Sequence, residues 1–144
     1  MALLDSGDYQ EIRALIDSQL TSNDLRDAVI EADVHKGQAE RLIIARVSNA
    51  QALVDAEGAD AERVKFAAKC LVAASLCPVV VRLTALTVQG RDMAYSRQSF
   101  DPVKRAAELR AMAEQMIDQL IADTDAVIVS PPTMFSRAAA GRGQ

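Results

Sequence analysis

The segment "DAERVKFAAKCLVAASLCPVVVRLTALTV", residues 60–88, decides the fold. Large apolar side chains recur in it every three or four positions, which is the spacing of one helix face: Val72, Leu76, Val79, Leu83 and Leu86. The opposite flank holds small residues such as Ala67, Ala68 and Ala74. A helix that is apolar on most sides belongs in the middle of a bundle. We therefore expect an all-α helical bundle with this buried helix at its centre.

Several residues of this segment define the predicted helix further. Pro78 lies inside it, where proline removes one backbone hydrogen bond and favours a kink. Asp60 is a suitable N-cap, and "EGAD" at 57–60 has the composition of a turn. Cys70 and Cys77 would lie about 10 Å apart along the helix axis, too far for a disulfide bond. We interpret both as small buried side chains, and free thiols weakly favour a reducing compartment.

Helices are also predicted before the central one. Residues 8–20 and 25–56 have helical spacing of their apolar side chains. Asp5 or Ser6 is suited to cap the first of these regions. Gly37 interrupts the second, and either a bend or the close approach of a neighbouring group would explain a glycine there.

The clearest helix follows the central one. Asp101 and Pro102 have the pattern of an N-cap and a first helical residue. They open an amphipathic helix over residues 102–123, which brings the expected total to about four helices. Its apolar stripe consists of Leu109, Met112, Ala113, Met116, Ile117, Leu120 and Ile121.

The C-terminal residues differ from the helical body. "AVIVS" at 126–130 is short, β-branched and apolar, which predicts a short strand, and a proline-containing basic end follows it. We therefore expect a helical bundle domain at 1–125 and an extended C-terminal tail at 126–144. Such a strand could pair within its own chain, the tail could be disordered, or another chain could complete the strand. In the last interpretation the tail binds a partner through Val127, Ile128, Val129, Met134, Phe135 and Arg137.

Charge is unevenly distributed along the chain of 144 residues. Residues 1–130 contain all 20 acids and 14 Lys or Arg residues, and residues 131–144 contain only Arg137 and Arg142, so these parts carry net charges of −6 and +2. An acidic body argues against general binding of nucleic acid. It remains compatible with a protein that lets DNA slide past without adhering.

Residues with catalytic chemistry are scarce. His35 is the one histidine, and Glu31 would share its helix face, but no Glu-x-x-His motif or phosphate-binding loop occurs. The N-terminus lacks the features of a signal peptide, and the longest uncharged run, at 70–81, has 12 residues, too few to span a bilayer. We expect no catalytic residue, no metal, no cofactor and no membrane.

The connection between the last two helices is the least ordinary stretch. "VQGRDMAYSRQSFDPVKRAAEL", residues 88–109, contains Arg91, Tyr95, Arg97 and Phe100 in a chain with five aromatic residues. Tyrosine and arginine are enriched where proteins contact each other. These four side chains could cover the end of their own bundle, or they could contact a neighbouring subunit or a partner.

Three stretches together resemble a known family. They are "NDLRDAVIEADVHKGQAERLI", "RVKFAAKCLVAASLCP" and the connection "YSRQSFD", followed by an amphipathic helix and a short apolar tail. This pattern, over roughly residues 20–125, resembles the head–tail connector (adaptor, or head-completion) proteins of long-tailed bacteriophages. The match rests on the order of helices, the alanine-rich central helix and the aromatic–Ser–Arg connection.

The resemblance implies a structural virion protein that acts through its surfaces and has no catalytic residues. Such proteins form a ring, typically of twelve copies, between the portal and the tail-proximal stopper or terminator protein. The ring extends the channel through which DNA passes without sequence-specific binding. It is assembled in the host cytoplasm and then resides at the head–tail interface of the virion.

Three other classes of protein compete with this interpretation. A cytosolic helical interaction module, chaperone-like or regulatory, would need an exposed apolar groove. An enzyme or cofactor-binding bundle would need a buried polar cluster, for which the sequence offers His35 and Glu31. A DNA-binding regulator would need a basic recognition face, which residues 8–47 lack.

Overall fold

A computed structural model describes the backbone of residues 2–87 and 101–142, and the side chains of residues 2–83 and 101–123. All regular structure in these ranges is helical, which confirms the all-α class. The elements in chain order are a 3-10 helix (Ser6–Asp8), α1 (Tyr9–Ile16), α2 (Asp27–Glu31), a π-helix (Asp33–Gly37), α3 (Gln38–Arg46), α4 (Ala50–Ala56), α5 (Ala59–Thr87) and α6 (Pro102–Arg142).

The predicted central helix is confirmed as α5. It contacts α6 along most of its length, and α1, α3, α4 and the π-helix pack against its other sides. Its buried side chains therefore lie on every flank: Ala61, Val64, Ala67, Ala68, Lys69, Cys70, Val72, Ala73, Ala74, Leu76, Cys77 and Val80. Pro78 lies inside α5 and is exposed, and the kink expected from it stays a prediction.

The composition of α5 follows from its position in the core. Between Ala59 and Leu83 it is long and apolar enough to cross a membrane by length and composition alone. However, 61% of its most apolar 18-residue window is buried against the rest of the chain. The core helix of a bundle has the same composition, so this helix is weak evidence for a membrane.

The helix α6 is antiparallel to α5. Its start lies beside Pro78, and Asp123, the last residue of α6 with a described side chain, pairs with Arg63 near the start of α5. The side chain of Asp101 accepts hydrogen bonds from the backbone N–H groups of Val103 and Lys104, which confirms the predicted N-cap. The predicted stripe is also confirmed: Leu109, Ala113, Ile117 and Leu120 are buried, and Met112, Met116 and Ile121 pack partly buried against them.

The predicted strand and extended tail are wrong for the described backbone. The helix α6 continues through residues 126–130 and ends at Arg142. A lone strand leaves its backbone N–H and C=O groups unpaired, whereas a helix pairs them within the segment. In residues 2–87 and 101–142 there is no strand to pair with it. The boundary that we expected at residue 125 therefore falls inside a helix.

The second helical region is more divided than predicted. Residues 25–56 contain α2, the π-helix, α3 and α4, so the described chain has six α-helices where about four were expected. Gly37 ends the π-helix, and a Cβ atom there would come within 2.1 Å of the Asp33 carboxylate. That carboxylate is held close by Arg41, whose guanidinium pairs with it. The glycine is therefore explained by close approach of a side chain.

Buried polar side chains attach the N-terminal half to the core. The carboxylate of Glu40, on α3, accepts hydrogen bonds of 3.0 Å from the backbone N–H groups of both Leu3 and Leu4. Asp5 caps the 3-10 helix through a capping box with Asp8, which confirms one of the two predicted caps. These bonds fix the first residues so that Leu3 and Leu4 can enter the core.

A buried ammonium group joins α1 to α5. Lys69 is 6% exposed and lies 3.2 Å from Asp8 and 2.6 Å from Glu11. Burial of Asp8 opposes its ionisation, but the Asp5 backbone N–H and the Lys69 ammonium together hold its pKa below the usual value. Since a buried charge is tolerated only with partners, this cluster sets the position of α1 on α5.

Arginines connect the remaining elements. The Arg13 guanidinium donates to the Leu25 carbonyl at 2.7 Å and pairs with Asp27, which holds the segment before α2 against α1. Arg105 on α6 donates to the Leu15 carbonyl at 2.7 Å, at the end of α1. Arg46 pairs with Glu114 and Asp118 and thereby joins α3 to α6. These ion pairs lie at the surface, where such pairs add little to stability.

Replacing Glu40 tests the attachment of the N-terminal residues. We expect Glu40→Ala to lower the free energy of unfolding by about 2–3 kcal/mol, because it leaves two buried backbone N–H groups without an acceptor. Glu40→Gln keeps a carbonyl acceptor and should lower the free energy of unfolding by clearly less. Urea denaturation of the three proteins measures both values, and equal stability of Glu40→Ala and the natural chain would contradict the assignment.

Candidate interaction surface

A groove lies between α5 and α6 at the end where residues 88–100 connect them. It has a volume of about 180 Å³ and is lined by Pro78, Pro102, Val103, Ala106 and Arg110. We refer to these five residues as the α5–α6 groove. Four of the five side chains are apolar, so the groove offers a surface for apolar groups with one guanidinium beside it.

The local sequence explains why this groove is open. Pro102 occupies the first position of α6, where a proline is favoured because its missing N–H would have no helical partner. Ala106 is small and buried, so it lets the two helices approach but leaves space above it. Val103 is 79% exposed, which is unusual for a β-branched apolar residue. The described core therefore leaves part of this apolar lining exposed.

Positive side chains surround the groove. Arg82 follows Pro78 by one helical turn, and Lys104 is adjacent to Val103 in the sequence. Both are exposed, as is Arg110. The ion pairs within residues 2–83 and 101–123 involve none of these three cations. The groove and its surroundings can thus attract an acidic, partly apolar surface.

The residues that we predicted as contacts have no described side chains. Arg91, Tyr95, Arg97 and Phe100 fall between Thr87 and Asp101, outside the described residues. The tail contacts lie on the helical backbone of α6, and their side chains are outside the described part: Val127, Ile128, Val129, Met134, Phe135 and Arg137. Both predictions of contact therefore stay predictions.

The groove itself was not predicted from the sequence. From the sequence alone, Pro78 predicts only a kink in the central helix. Val103 is not part of the predicted apolar stripe of the following helix. A signal was nevertheless present, because Val103 is apolar and lies outside the stripe that contains Leu109 and Ala113. Apolar residues outside the stripe of an amphipathic helix are candidates for a second contact surface.

His35 and Glu31 do not form a common site. A break separates α2, which ends at Glu31, from the π-helix that contains His35, so the predicted shared helix face is wrong. Glu31 accepts a hydrogen bond from the Tyr9 hydroxyl at 3.0 Å, whereas His35 Nδ1 lies 2.9 Å from Ser75 Oγ on α5. Ser75 in turn donates to the Val72 carbonyl. His35 thus joins the π-helix to the core.

The buried thiols also have no reactive environment. Cys70 and Cys77 are free, and burial raises the pKa of each to about 11 despite nearby cations. Nearly all of each thiol is therefore protonated at neutral pH, which disfavours nucleophilic or metal-binding chemistry. Among the described residues, no group of three or more His, Cys, Asp and Glu side chains could hold a metal ion.

Comparison with known proteins gives no neighbour: no family model, curated protein or solved structure matches this chain. The groove and the exposed cations near it therefore provide the chemistry on which a functional proposal can rest. Each of these features is suited to contact with another macromolecule.

The contact of His35 makes stability depend on pH in a defined direction. Burial lowers the pKa of His35 below its usual 6.5, so the folded chain favours the neutral ring. This contribution to stability is fully present above the unfolded pKa and decreases as the pH falls below it. We expect the natural chain to lose more stability than His35→Gln between about pH 7.5 and about pH 5.5.

Urea denaturation of both chains at the two pH values measures this difference. The His35→Gln control retains a polar side chain opposite Ser75 but has no proton to bind in this range. Parallel pH dependence of the two chains would show that His35 titrates as it does in the unfolded state.

Proposed function

We propose that this chain is a structural virion protein, the adaptor that joins the portal of a long-tailed phage to its tail-proximal proteins. The observation that carries the proposal is the α5–α6 groove with the exposed cations near it, at the end of the helix pair that residues 88–100 connect. An apolar groove, exposed arginines and an aromatic segment close in sequence are what a protein interface requires. The resemblance of the helix order to head–tail connector proteins gives the interface its biological setting.

The chemistry of the interior supports a role through surfaces. The buried polar groups serve to connect helices: Lys69 to Asp8, Glu40 to the N-terminal backbone, and His35 to Ser75. Each of them is engaged by its own chain and none faces the groove. The single groove-lining charge is a guanidinium, which binds anions and does not exchange a proton at neutral pH.

A net charge of −4 supports the passage of DNA without adhesion. A ring of acidic subunits around a channel would repel phosphates, because attraction of DNA depends on neutralising cations. In the proposed assembly about twelve copies would surround the channel, and repetition would strengthen weak contacts through avidity. The portal and the stopper or terminator protein would bind opposite ends of the ring.

The C-terminal half of α6 is the segment that we assign to the portal. The antiparallel partner α5 begins at Ala59, and Arg63 near that start pairs with Asp123. The backbone of α6 then continues for 19 more residues, or about 28 Å, to Arg142. A helix that extends so far beyond its partner is available to another chain. Residues 131–144 contain Arg137 and Arg142 and no acid, which suits an acidic surface.

A cytosolic interaction module is the second candidate, and the groove also favours it. That alternative requires an exposed apolar groove, which the described residues provide between α5 and α6. It would hold one partner helix with the protein as a monomer or dimer, whereas the adaptor assembles many copies on a portal. The mass of the complex with portal protein therefore distinguishes the two functions.

The aromatic connection and the C-terminal segment should both be needed for assembly on the portal. We expect Tyr95→Ala combined with Phe100→Ala to weaken ring formation, because it removes the two aromatic anchors. Deletion of residues 131–144 should abolish attachment to the portal. Neither change touches a core residue described in 2–83 or 101–123, so we expect the body to keep its thermal stability. Native mass spectrometry of the chain mixed with portal protein measures both effects.

Matched controls separate loss of contact from loss of fold. Tyr95→Phe with Phe100→Tyr keeps two aromatic rings and should assemble, and deletion of residues 138–144 keeps the apolar part of the segment. Circular dichroism verifies that helical content falls by no more than the deleted turns. Full portal attachment by both the Tyr95→Ala, Phe100→Ala variant and the chain without residues 131–144 would overturn the proposed function.

A further inference from the structure

Four exposed acids are concentrated at the start of α5. Residues 50–62 contain Asp55, Glu57, Asp60 and Glu62 and no Lys or Arg, and all four carboxylates lie on exposed residues. We refer to residues 50–62 as the acidic corner. Arg63 pairs with Asp60 at 3.6 Å, and in the described part of the chain no ion pair involves Glu57 or Glu62.

The backbone reverses direction within the acidic corner. Glu57 and Gly58, between α4 and α5, have φ values of 57° and 113°, which places both in the left-handed region. A Cβ atom on Gly58 would meet nothing within 4 Å, so the space around the turn is open. Ala52, Ala56 and Ala59 are exposed beside the acids. The corner therefore combines negative charge with small apolar side chains.

The groove at the other end of the described helix pair has the opposite character. Its lining is apolar except for Arg110, and the exposed Arg82 and Lys104 lie within one helical turn of the lining residues Pro78 and Val103. Ala59 and Pro78 are 19 residues apart on α5, so the corner and the groove are separated by about 28 Å along the helix. One molecule cannot place its own corner in its own groove.

We propose that the α5–α6 groove of one copy binds the acidic corner of a second copy. The three cations would face the carboxylates, and the alanines of the corner would cover the apolar lining. Two different patches on one chain make the contact heterologous, and repetition of such a contact gives a ring when the rotation closes. This inference rests on the proposed function, which supplies the many copies. It adds the identity of the two surfaces that meet.

Cross-linking of engineered cysteines tests the contact directly. One variant carries Ala56→Cys in the acidic corner and the other carries Val103→Cys in the groove, and the two are mixed and oxidised. The natural Cys70 and Cys77 are buried, with pKa values raised to about 11, so they do not compete. We expect about tenfold more mixed dimer than from Ala28→Cys with Val103→Cys, a control pair with an exposed alanine on α2.

Charge reversal separates the proposed contact from chance collisions. Lys104→Glu with Arg110→Glu in the groove variant should reduce the mixed dimer to the level of the control pair. Adding Glu57→Lys and Glu62→Lys to the corner variant should then restore the yield of mixed dimer, because the two surfaces again carry opposite charges. Added salt should lower the yield of the natural pair, because exposed charges are screened within about 8–10 Å at moderate ionic strength.

Three results would overturn the inference. One is a mixed dimer no more abundant than the control, and another is a yield unaffected by charge reversal. A third is a dominant symmetric dimer of the Val103→Cys variant, which would indicate a two-fold contact or a different occupant of the groove. Portal attachment is scored separately: a chain that binds portal protein without the mixed dimer would retain the proposed function and refute these two surfaces.

Discussion

The absence of a polar face on α5 is the constraint on which the rest of the structure depends. A helix whose buried residues lie on all flanks is stable in water only when other elements cover each of them. The long α6 covers one side, and short helices from the N-terminal half cover the others. The many breaks before α5 are a consequence, because a chain that wraps a long helix must change direction every few residues.

Apolar contact alone does not fix how those short helices are arranged. Their positions are set by polar groups that the core can tolerate only when partnered, such as Lys69 with Asp8 and Glu11. Glu40 holds the N-terminal backbone by accepting its hydrogen bonds, and Arg13 holds the segment before α2 by donating to the Leu25 carbonyl. The described interior polar groups thus serve to hold the chain's own helices together.

The parts of the fold that the sequence predicted are those with a local cause. Helical spacing gave α5 and the buried stripe of α6, and the Asp101–Pro102 pair gave the start of α6. The division of residues 25–56 was missed because it depends on contacts such as His35 with Ser75, 40 residues away. The strand at 126–130 was wrong because β-propensity was weighed without a partner strand. The groove was missed since it arises only where Pro78 meets α6.

Hydrogen exchange along α5 in the isolated chain tests most directly whether this bundle covers its central helix without help. If it does, the backbone amides of residues 64–77 should exchange only through global unfolding, with the slowest rates in the protein. Their protection should not change with protein concentration. Rapid exchange in that stretch, or protection that grows as copies are added, would show that α5 is completed by another molecule, which contradicts a self-sufficient core with separate contact surfaces.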